Sequence, residues 1–509
     1  MTNSAAGRYA RAGLLALACL WLAAPALAGE APLNLWPVYD DRVDPVDGSR
    51  VRSSLGPLFE LERDLDEPVQ SYGLRPLFYR LEDARHDTDQ AETDVLYPVF
   101  TYRRSDRDWQ WQFLLLLNGR SEGPPAERER RFDLFPFYFS GTTEAGESYR
   151  AVLPFGGTAV DRLGQDRLTF VLFPLYARFL KGQTETTYTP WPLISRVRGE
   201  REGFRIVPFY GAVRQPGVSE TRFVLWPLYL SQRAGLNTDN PEETLALLPF
   251  YVRQRAPRRD STTVLWPFFT HTHDRERGYE QWDAPWPLVQ VARGEGKRVT
   301  RVLPLFSVEE RRLRNEFLLR ELTSRQLILL FPLYIRTQDD VPGTRTVRDR
   351  VLWWLYSDTR QTGQDGEARR LDAWPLFRYE RDREGAVRFQ ALALLEPLLP
   401  GNEWIERNYS PLWSLYTFRR SPAGAEVHSF LWNLVRHEET PAGRSIEVLG
   451  PVVRYREAES AAVLSLFGGL VEYQVTRGVR SVRLLGREAA RWEGLPQPVA
   501  VLAAEGGGR

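Results

Sequence analysis

Two histidines that alternate along one short segment are the first candidates for metal chemistry in this sequence. The segment reads His271-Thr272-His273 and is followed by Asp274. Alternate side chains of an extended strand point to one face, so both imidazoles could contact one cation. A zinc site needs three or four protein ligands, and no third ligand can be named here. We therefore expect two solvated histidines near a strand end rather than a metal site.

Acidic residues cluster in two segments that could contact calcium. One runs from Asp83 to Asp94, and the other from Asn237 to Asn240. Carboxylate and amide oxygens suit Ca²⁺, but an EF-hand loop also has a glycine at its sharp turn and a bidentate glutamate at its end. Neither segment has that pattern, so we interpret both as solvated turns.

Motifs of known catalytic sites are missing from the sequence. It has no G-x-S-x-G elbow, no P-loop and no dinucleotide-binding G-x-G-x-x-G segment. The 66 Asp and Glu residues are spread so widely that a glycosidase-like carboxylate pair could be picked anywhere, and none is assigned. With a single cysteine, a thiol enzyme or a disulfide scaffold is excluded. We expect no enzymatic activity and no cofactor.

The charge balance excludes binding that depends on net charge. The chain has 509 residues with 67 Lys and Arg against 66 Asp and Glu, a formal charge of +1. Such a chain lacks the basic excess that attracts nucleic acid or an anionic membrane surface. Its 43% hydrophobic content is ample for a core. We expect no nucleic-acid partner.

A short apolar motif centred on proline recurs along almost the whole chain. It reads Leu or Val, a large apolar residue, Pro, Leu or Phe, then Tyr or Phe, and about half of the chain's 36 prolines occupy its centre. Neighbouring copies are about 19 residues apart, which marks a structural repeat. The large residue and the proline of the clearest copies are Trp36-Pro37, Phe135-Pro136, Phe173-Pro174, Trp191-Pro192, Trp226-Pro227, Trp266-Pro267, Trp286-Pro287, Phe331-Pro332 and Trp374-Pro375.

Variation in the spacing between copies favours an antiparallel meander over a parallel solenoid. A meander absorbs such variation in its turns, whereas a solenoid stacks coils of nearly constant length. Glycine-containing segments such as 294–296 separate β-rich runs, as turns do. With degenerate copies and an apolar run at 113–117 that fits a missing unit, we count about 22–24 units. We predict an all-β antiparallel meander of about 22–24 strands, each of about 11–13 residues with its proline near the middle.

A proline in the middle of a strand removes a ladder hydrogen bond and is expected only at edges or bulges. Because the motif recurs in almost every predicted strand, we interpret it as a bulge repeated at one level of the sheet. Alternation then makes both faces apolar at mid-height. We assign the motif tryptophans, such as Trp226, to core packing rather than to a carbohydrate-stacking surface.

The two ends of the chain differ from the repeats. Residues 1–28 are typical of a secretory signal peptide, with Arg8 before an apolar run over 13–24 and a small-residue cleavage site ending at Ala28. A rival interpretation makes Cys19 a lipoprotein acceptor, but the residues around it do not form a lipobox. The tail, residues 487–509, has lost the motif and is predicted to be helical or disordered.

The remaining residues, 29–486, form one repeat-built β-domain in this interpretation. Within it, residues 308–326 contain Leu313/Phe317 and Leu318/Leu322 at i,i+4 spacing. This spacing predicts a short helical insertion, and a longer hairpin is the alternative.

A sheet that is apolar on both faces must be covered by lipid, a second sheet or an apolar ligand. We favour a large closed β-barrel of the bacterial outer membrane, with an unusually apolar lumen that transports or holds a hydrophobic molecule. The membrane and a lipid or other hydrophobic ligand are then the partners. Three features oppose a barrel: the apolar interior, the Gly-Gly-Gly-Arg end and the prolines at bilayer depth. The alternative is a periplasmic or surface interaction scaffold, built as a soluble multi-sheet or propeller-like repeat protein.

Overall fold

The computed structural model describes residues 33–85, 89–125, 127–315 and 320–493. The predicted signal peptide, residues 1–28, lies outside the described residues. The described residues form 46 β-strands and little helix, which confirms the all-β antiparallel meander. None of the helices in this part of the chain is long and apolar enough to cross a membrane.

The chain divides into two compact units. The terminal unit takes its residues from Met1–Arg85 and Leu376–Arg509, and the central unit from His86–Pro375. In the terminal unit, the strands before residue 86 are β1 (Leu33–Leu35), β2 (Tyr39–Val43), β3 (Arg50–Ser54), β4 (Phe59–Arg63), β5 (Val69–Leu74) and β6 (Phe78–Asp83).

The strands of the central unit pair antiparallel with their sequence neighbours, and most have five to seven residues. They are β7 (Gln90–Val95), β8 (Phe100–Ser105), β9 (Asp108–Phe113), β10 (Leu117–Glu122), β11 (Glu129–Leu134), β12 (Tyr138–Thr142), β13 (Ser148–Val152), β14 (Gly156–Arg162), β15 (Gln165–Val171), β16 (Tyr176–Lys181), β17 (Thr184–Tyr188), β18 (Ile194–Gly199), β19 (Glu202–Ile206), β20 (Tyr210–Gln215), β21 (Ser219–Val224), β22 (Tyr229–Ala234), β23 (Glu242–Leu247), β24 (Tyr251–Arg255), β25 (Arg259–Val264), β26 (Phe269–Asp274), β27 (Tyr279–Asp283), β28 (Val289–Gly294), β29 (Lys297–Val302), β30 (Phe306–Asn315), β31 (Arg320–Leu329), β32 (Tyr334–Val341), β33 (Thr344–Val351), β34 (Tyr356–Gly363) and β35 (Gly366–Ala373).

The later part of the terminal unit repeats this arrangement with two short helices inserted. Its elements are β36 (Phe377–Arg381), β37 (Val387–Ala391), α1 (Glu403–Asn408), α2 (Ser410–Trp413), β38 (Tyr416–Arg420), β39 (Glu426–Phe430), β40 (Val435–Thr440), β41 (Gly443–Val448), β42 (Val453–Ala458), β43 (Ala461–Leu466), a 3-10 turn (Phe467–Gly469), β44 (Val471–Thr476), β45 (Val479–Leu484) and β46 (Arg487–Glu493).

The predicted number of strands, about 22–24, is wrong because each repeat is a hairpin rather than one strand. The proline motif is the turn of that hairpin: Leu225–Leu228 joins β21 to β22, whose nearest paired residues are Val224 and Tyr229. The Leu228 N–H closes the turn on the Leu225 carbonyl at 2.8 Å. A turn tolerates proline because it needs no ladder donor there, and so the predicted mid-strand bulge does not exist.

Neighbouring motif turns are hydrogen-bonded to one another. The Leu225 N–H donates to the Phe209 carbonyl at 2.7 Å, and the Leu248 N–H donates to the Leu228 carbonyl at 2.8 Å. The carbonyl of Pro208 accepts from Trp226 N–H at 2.6 Å. The turns thus continue the hydrogen-bonded sheet beyond its strands, and the motif prolines contribute as acceptors.

Two local predictions fail and one is confirmed. The helix predicted over 308–326 is wrong, and the alternative of a longer hairpin is confirmed, because β30 and β31 pair with each other and with β29 and β32. This pairing outweighs a weak i,i+4 pattern. Phe317 and Leu318 lie outside the described residues. Residues 487–493 of the predicted helical or disordered tail form β46, since they find a partner in β45. The missing unit at 113–117 is present as the turn between β9 and β10.

The buried face of the central unit combines a small apolar cluster with polar residues, some of them charged. Phe139, Leu168 and Phe170 pack with alanines at the centre of the cluster. Farther along, Thr and Ser pair across strands, as in Ser261 with Thr272 at 3.0 Å. Small and hydroxyl-bearing residues pack closely on this face, and buried charged residues lie among them: Asp274 is 5% exposed, and Arg162 donates to Asp133 at 2.8 Å.

Candidate functional site

The turns that carry the motif all lie at one edge of the sheet in the central unit. An antiparallel meander reverses at every strand, so every second turn returns to the same edge. The large apolar side chains of these turns are exposed, and we call the row the apolar turn edge. Its members are Leu96, Leu114, Leu115, Leu116, Phe135, Phe137, Phe155, Leu172, Leu175, Trp191, Leu193, Phe209, Leu225, Trp226, Leu228, Phe250, Leu265, Trp266, Phe268, Trp286, Leu288, Leu305, Leu330, Phe331, Leu333, Leu352, Trp353 and Trp354.

The sequence-based prediction that the motif tryptophans pack in the core is wrong for several of them. Trp226 is 55% exposed, and Trp266 and Trp286 are also exposed. The prediction failed because side-chain alternation was counted through the proline, whereas the chain turns there. Trp36, in the terminal unit, is half-buried and donates its indole N–H to the Trp432 carbonyl at 2.9 Å.

Several leucines of the edge have a left-handed backbone. Leu225 has φ of +49° with its side chain 49% exposed, and Leu265 and Leu330 have φ of +50° and +47°. This conformation favours Gly or Asn and costs a leucine about 1–2 kcal/mol. Because these side chains are exposed, burial of apolar surface does not offset this conformational cost. The stability of the isolated chain therefore does not explain why leucine occupies these positions.

Strand residues next to the turns widen the apolar edge on the exposed face. Val171, Ile194, Val224 and Leu247 are exposed, and each stands beside a motif turn. Tyrosines such as Tyr229 occupy the position after the turn. An apolar band with aromatic residues at its border is typical of protein surfaces at a lipid–water interface.

The opposite edge of the central unit is charged. Arg233 pairs with Glu243 at 3.0 Å, and Arg258 pairs with Glu276 at 3.1 Å. Since a strand of six residues spans about 20 Å, the two edges place apolar and charged surfaces about that far apart. The strands of this unit are therefore amphipathic along their length.

The terminal unit contains a second feature, a polar cavity of about 370 Å³ between β2–β4 and β36–β40. Five buried or half-buried arginines and five carboxylates line it, and we call them the buried charge cluster. The cluster consists of Arg42, Arg75, Arg378, Arg419 and Arg436, with Asp44, Glu60, Glu62, Glu380 and Glu406; the exposed Arg388 also lines the cavity.

Most carboxylates of the buried charge cluster have an arginine partner. Arg75 donates to Glu60 at 2.6 Å, and Arg378 contacts both Glu380 and Glu406 at 2.5 Å. Some of these contacts join residues that are far apart in the sequence. Arg419 pairs with Asp44, and it also pairs with Asp47 at 3.0 Å. The Arg75 Nε also donates to the Arg407 carbonyl at 2.7 Å.

Burial and neighbouring charges shift several pKa values in this cluster. Burial, followed by the nearby Arg436, lowers the pKa of Arg42 to about 9. Burial, with the Glu60 charge, raises the pKa of Glu62, which accepts a hydrogen bond only from a serine, Ser49, among the described residues. Burial opposes ionisation of Asp44, but Arg419 and Arg436 outweigh it and lower its pKa.

The two histidines of β26 that were predicted to be solvated lie on one face; His273 is exposed, and His271 is half-buried and contacts other side chains. His271 contacts Glu280 at 2.7 Å and stacks on Trp282, with ring centroids 3.9 Å apart. Among the described residues there is no group of three potential metal ligands. The sequence did not single out His428 and His437, which stack across β39 and β40 with centroids 5.4 Å apart.

The two acidic segments contact arginines. Asp239 pairs with Arg258, and the Asn240 side chain accepts from the Arg258 backbone N–H at 3.1 Å. Asp83 pairs with Arg85 at 2.5 Å, and residues 86–88 of that segment lie outside the described residues.

Sequence reasoning missed both the exposure of the motif and the buried charge cluster. A usable signal for the first was the polar alternation on both sides of each motif, which fits two short strands better than one long one. The second had no local signal, since Asp44 and Arg419 are 375 residues apart. Comparisons with known protein families and with curated proteins find no match for this chain.

Proposed function

We propose that this chain is an exported cell-envelope protein that binds lipid through its apolar turn edge. The observation that carries the proposal is the row of exposed leucines, including Leu225, at backbone positions that disfavour leucine. Monomeric soluble proteins rarely expose apolar patches larger than about 300–600 Å², and patches beyond that mark contacts with partners or membranes. A lipid layer would bury the whole row at once.

Most strands are too short to span a membrane, so the proposed contact is made by the turn edge alone. Spanning strands need about 9–11 residues, whereas most strands here have five to seven. We therefore replace the hypothesis of strands that span the outer membrane with a more limited contact. The turn edge enters the lipid layer, and the charged edge stays in water. Closure of the sheet into a barrel is compatible with this contact but is not needed for it.

The hydrophobic molecule that the barrel hypothesis placed in a lumen belongs at the turn edge instead. The buried face of the central unit carries small and hydroxyl-bearing residues such as Ser261 and Thr272, which do not form an apolar tunnel. The exposed apolar surface is concentrated in the motif turns. We therefore propose that membrane lipid itself is the hydrophobic partner.

A single-cysteine label tests the proposal. With Cys19→Ser, the chain has no cysteine, so a polarity-sensitive fluorophore can be attached at Leu228→Cys in a motif turn. Leu163→Cys is the matched control, because Leu163 is an exposed leucine in the turn between β14 and β15 at the opposite edge. On addition of phosphatidylcholine vesicles we expect a blue shift at position 228 and none at 163.

Two outcomes would contradict lipid binding by the turn edge. No shift at either position, with the protein remaining in the aqueous fraction after flotation, would favour the periplasmic or surface scaffold. A shift at both positions would mean that lipid contact is not confined to the turns.

A further inference from the structure

The cavity of the terminal unit is lined by residues whose donor atoms lack a hydrogen-bond partner among the described residues. These atoms are Arg42 Nε, the Ser410 hydroxyl and Arg436 Nη2, of which the last lies 3.5 Å from Asp44 Oδ2 in an ion pair without a hydrogen bond. All three residues line the cavity. Buried donors without a hydrogen-bond partner are costly, so several of them around one cavity indicate a place where a ligand with acceptor oxygens could bind.

The charges around the cavity are closely balanced. Five buried or half-buried arginines and five carboxylates line it, and Glu62 has no arginine partner among the described residues. Asp40, Asp47 and Glu438 contact Arg42, Arg419 and Arg436 from outside the lining. The guanidinium groups are thus held in place by carboxylates, and an anion would bind through the donors that these carboxylates leave open.

We propose that this cavity binds a phosphate group, held by Arg42 and Arg436 and by the Ser410 hydroxyl. Guanidinium groups pair bidentately with tetrahedral oxyanions, and a neutral hydroxyl adds a donor that a phosphate ester can accept. A cavity of about 370 Å³ is within the usual range for small-molecule sites and has room for more than a bare phosphate ion.

The position of the cavity suggests what carries the phosphate. Gly56, Pro57 and Trp432, which belong to motif turns of the terminal unit, form part of its wall. Leu55 and Leu58 of the same turn are exposed. A phosphate in the cavity can therefore belong to an amphiphile whose acyl chains lie along these turns, or it can be free phosphate.

Calorimetric titration of the full chain distinguishes the two sources. The probes are inorganic phosphate and dihexanoyl phosphatidic acid below its micellar concentration. Saturable binding of either supports the proposal: tighter binding of the lipid by about tenfold or more identifies a phospholipid head group, and equal binding identifies free phosphate. Binding of neither probe at millimolar concentration overturns it.

Variants locate the site. Arg42→Gln removes an unpaired donor and one positive charge, and we expect binding to weaken by about tenfold or more. Arg444→Gln, an exposed arginine of the same unit, is the matched control and should bind as the parent does. Equal binding by the Arg42→Gln and Arg444→Gln variants would place the phosphate elsewhere and overturn the assignment.

Two further measurements guard against misfolding and against confusion with the proposed function. Ser410→Ala removes no hydrogen bond within the described residues, so the variant should unfold at the parental temperature and still bind phosphate several-fold more weakly. Unchanged binding by this folded variant would exclude the hydroxyl from the site. When Arg42→Gln is combined with the fluorophore at position 228, addition of vesicles should still cause a blue shift, because the turn edge of the central unit is intact.

Discussion

The backbone N–H of Trp226 donates a hydrogen bond to the carbonyl oxygen of Pro208, 2.6 Å away in the preceding motif turn. The N–H of the neighbouring Leu225 donates to the Phe209 carbonyl at 2.7 Å. The backbone of one turn is thus held by the turn before it, and the side chains are left free to project outward. This arrangement separates the stability of the repeat, which rests on the backbone, from the apolar surface that the repeat presents.

The first prediction concerns Trp226. Because its side chain is 55% exposed, we expect Trp226→Ala to lower the free energy of unfolding by less than about 1 kcal/mol. Phe170→Ala is the comparison, since Phe170 is 2% exposed and its truncation should cost about 3–5 kcal/mol. Urea unfolding of both variants measures the difference. A cost at Trp226 as large as that at Phe170 would restore the core assignment made from the sequence.

The second prediction concerns the left-handed leucines. Leu225→Asn should leave stability unchanged or raise it by about 0.5–1 kcal/mol, because Asn is better suited to φ of +49°. Leu163→Asn, with φ of +53°, should behave alike in unfolding experiments. Only the change at Leu225 should weaken vesicle binding. A loss of stability above about 1 kcal/mol at Leu225 would show that the leucine packs rather than projects.

The third prediction concerns a close pair on the buried face. Gly211 lies opposite Phe223 on β20 and β21, and a Cβ added at Gly211 would meet the Phe223 ring at 2.2 Å. We expect Gly211→Ala to cost about 1–3 kcal/mol through overpacking. Combining it with Phe223→Leu should cost less than the sum of the two single changes. Strict additivity in this double-mutant cycle would mean that the ring and the glycine are not coupled.

The fourth prediction concerns pH. Burial, followed by the neighbouring His437, lowers the pKa of His428 in the folded protein. The unfolded chain then binds the proton more readily, so the contribution of His428 to stability is present above its unfolded pKa of about 6.5 and is lost as the pH falls below it. We expect His428→Gln to reduce the loss of stability between about pH 7 and pH 5.5.

Urea unfolding at the two pH values measures this effect. His273→Gln is the control because His273 is an exposed histidine of the central unit. If both variants retain the full pH dependence of the parent, His428 is not the group responsible.

Much of the architecture follows from the sequence alone. The spacing of motifs such as Leu225-Trp226-Pro227-Leu228-Tyr229 predicts an all-β antiparallel meander. The number of repeat units counted in the sequence matches the number of motif turns in the structure. These features are local: a repeat of about 19 residues with turn residues inside it has few ways to pair its strands. The role of the proline was misjudged, since a run of apolar residues fits a buried strand as well as an exposed turn.

The tertiary structure decided what each side chain faces. Whether Trp226 is core or surface depends on where the chain reverses, because a turn ends the alternation of side chains that a continuous strand would maintain. Asp44 and Arg419 form one cluster although 375 residues separate them, and no periodic pattern relates them. The spacing of motifs along the sequence specifies which neighbouring strands are hydrogen-bonded. Contacts between strands that are distant in the sequence depend instead on how the sheet is folded within the terminal unit.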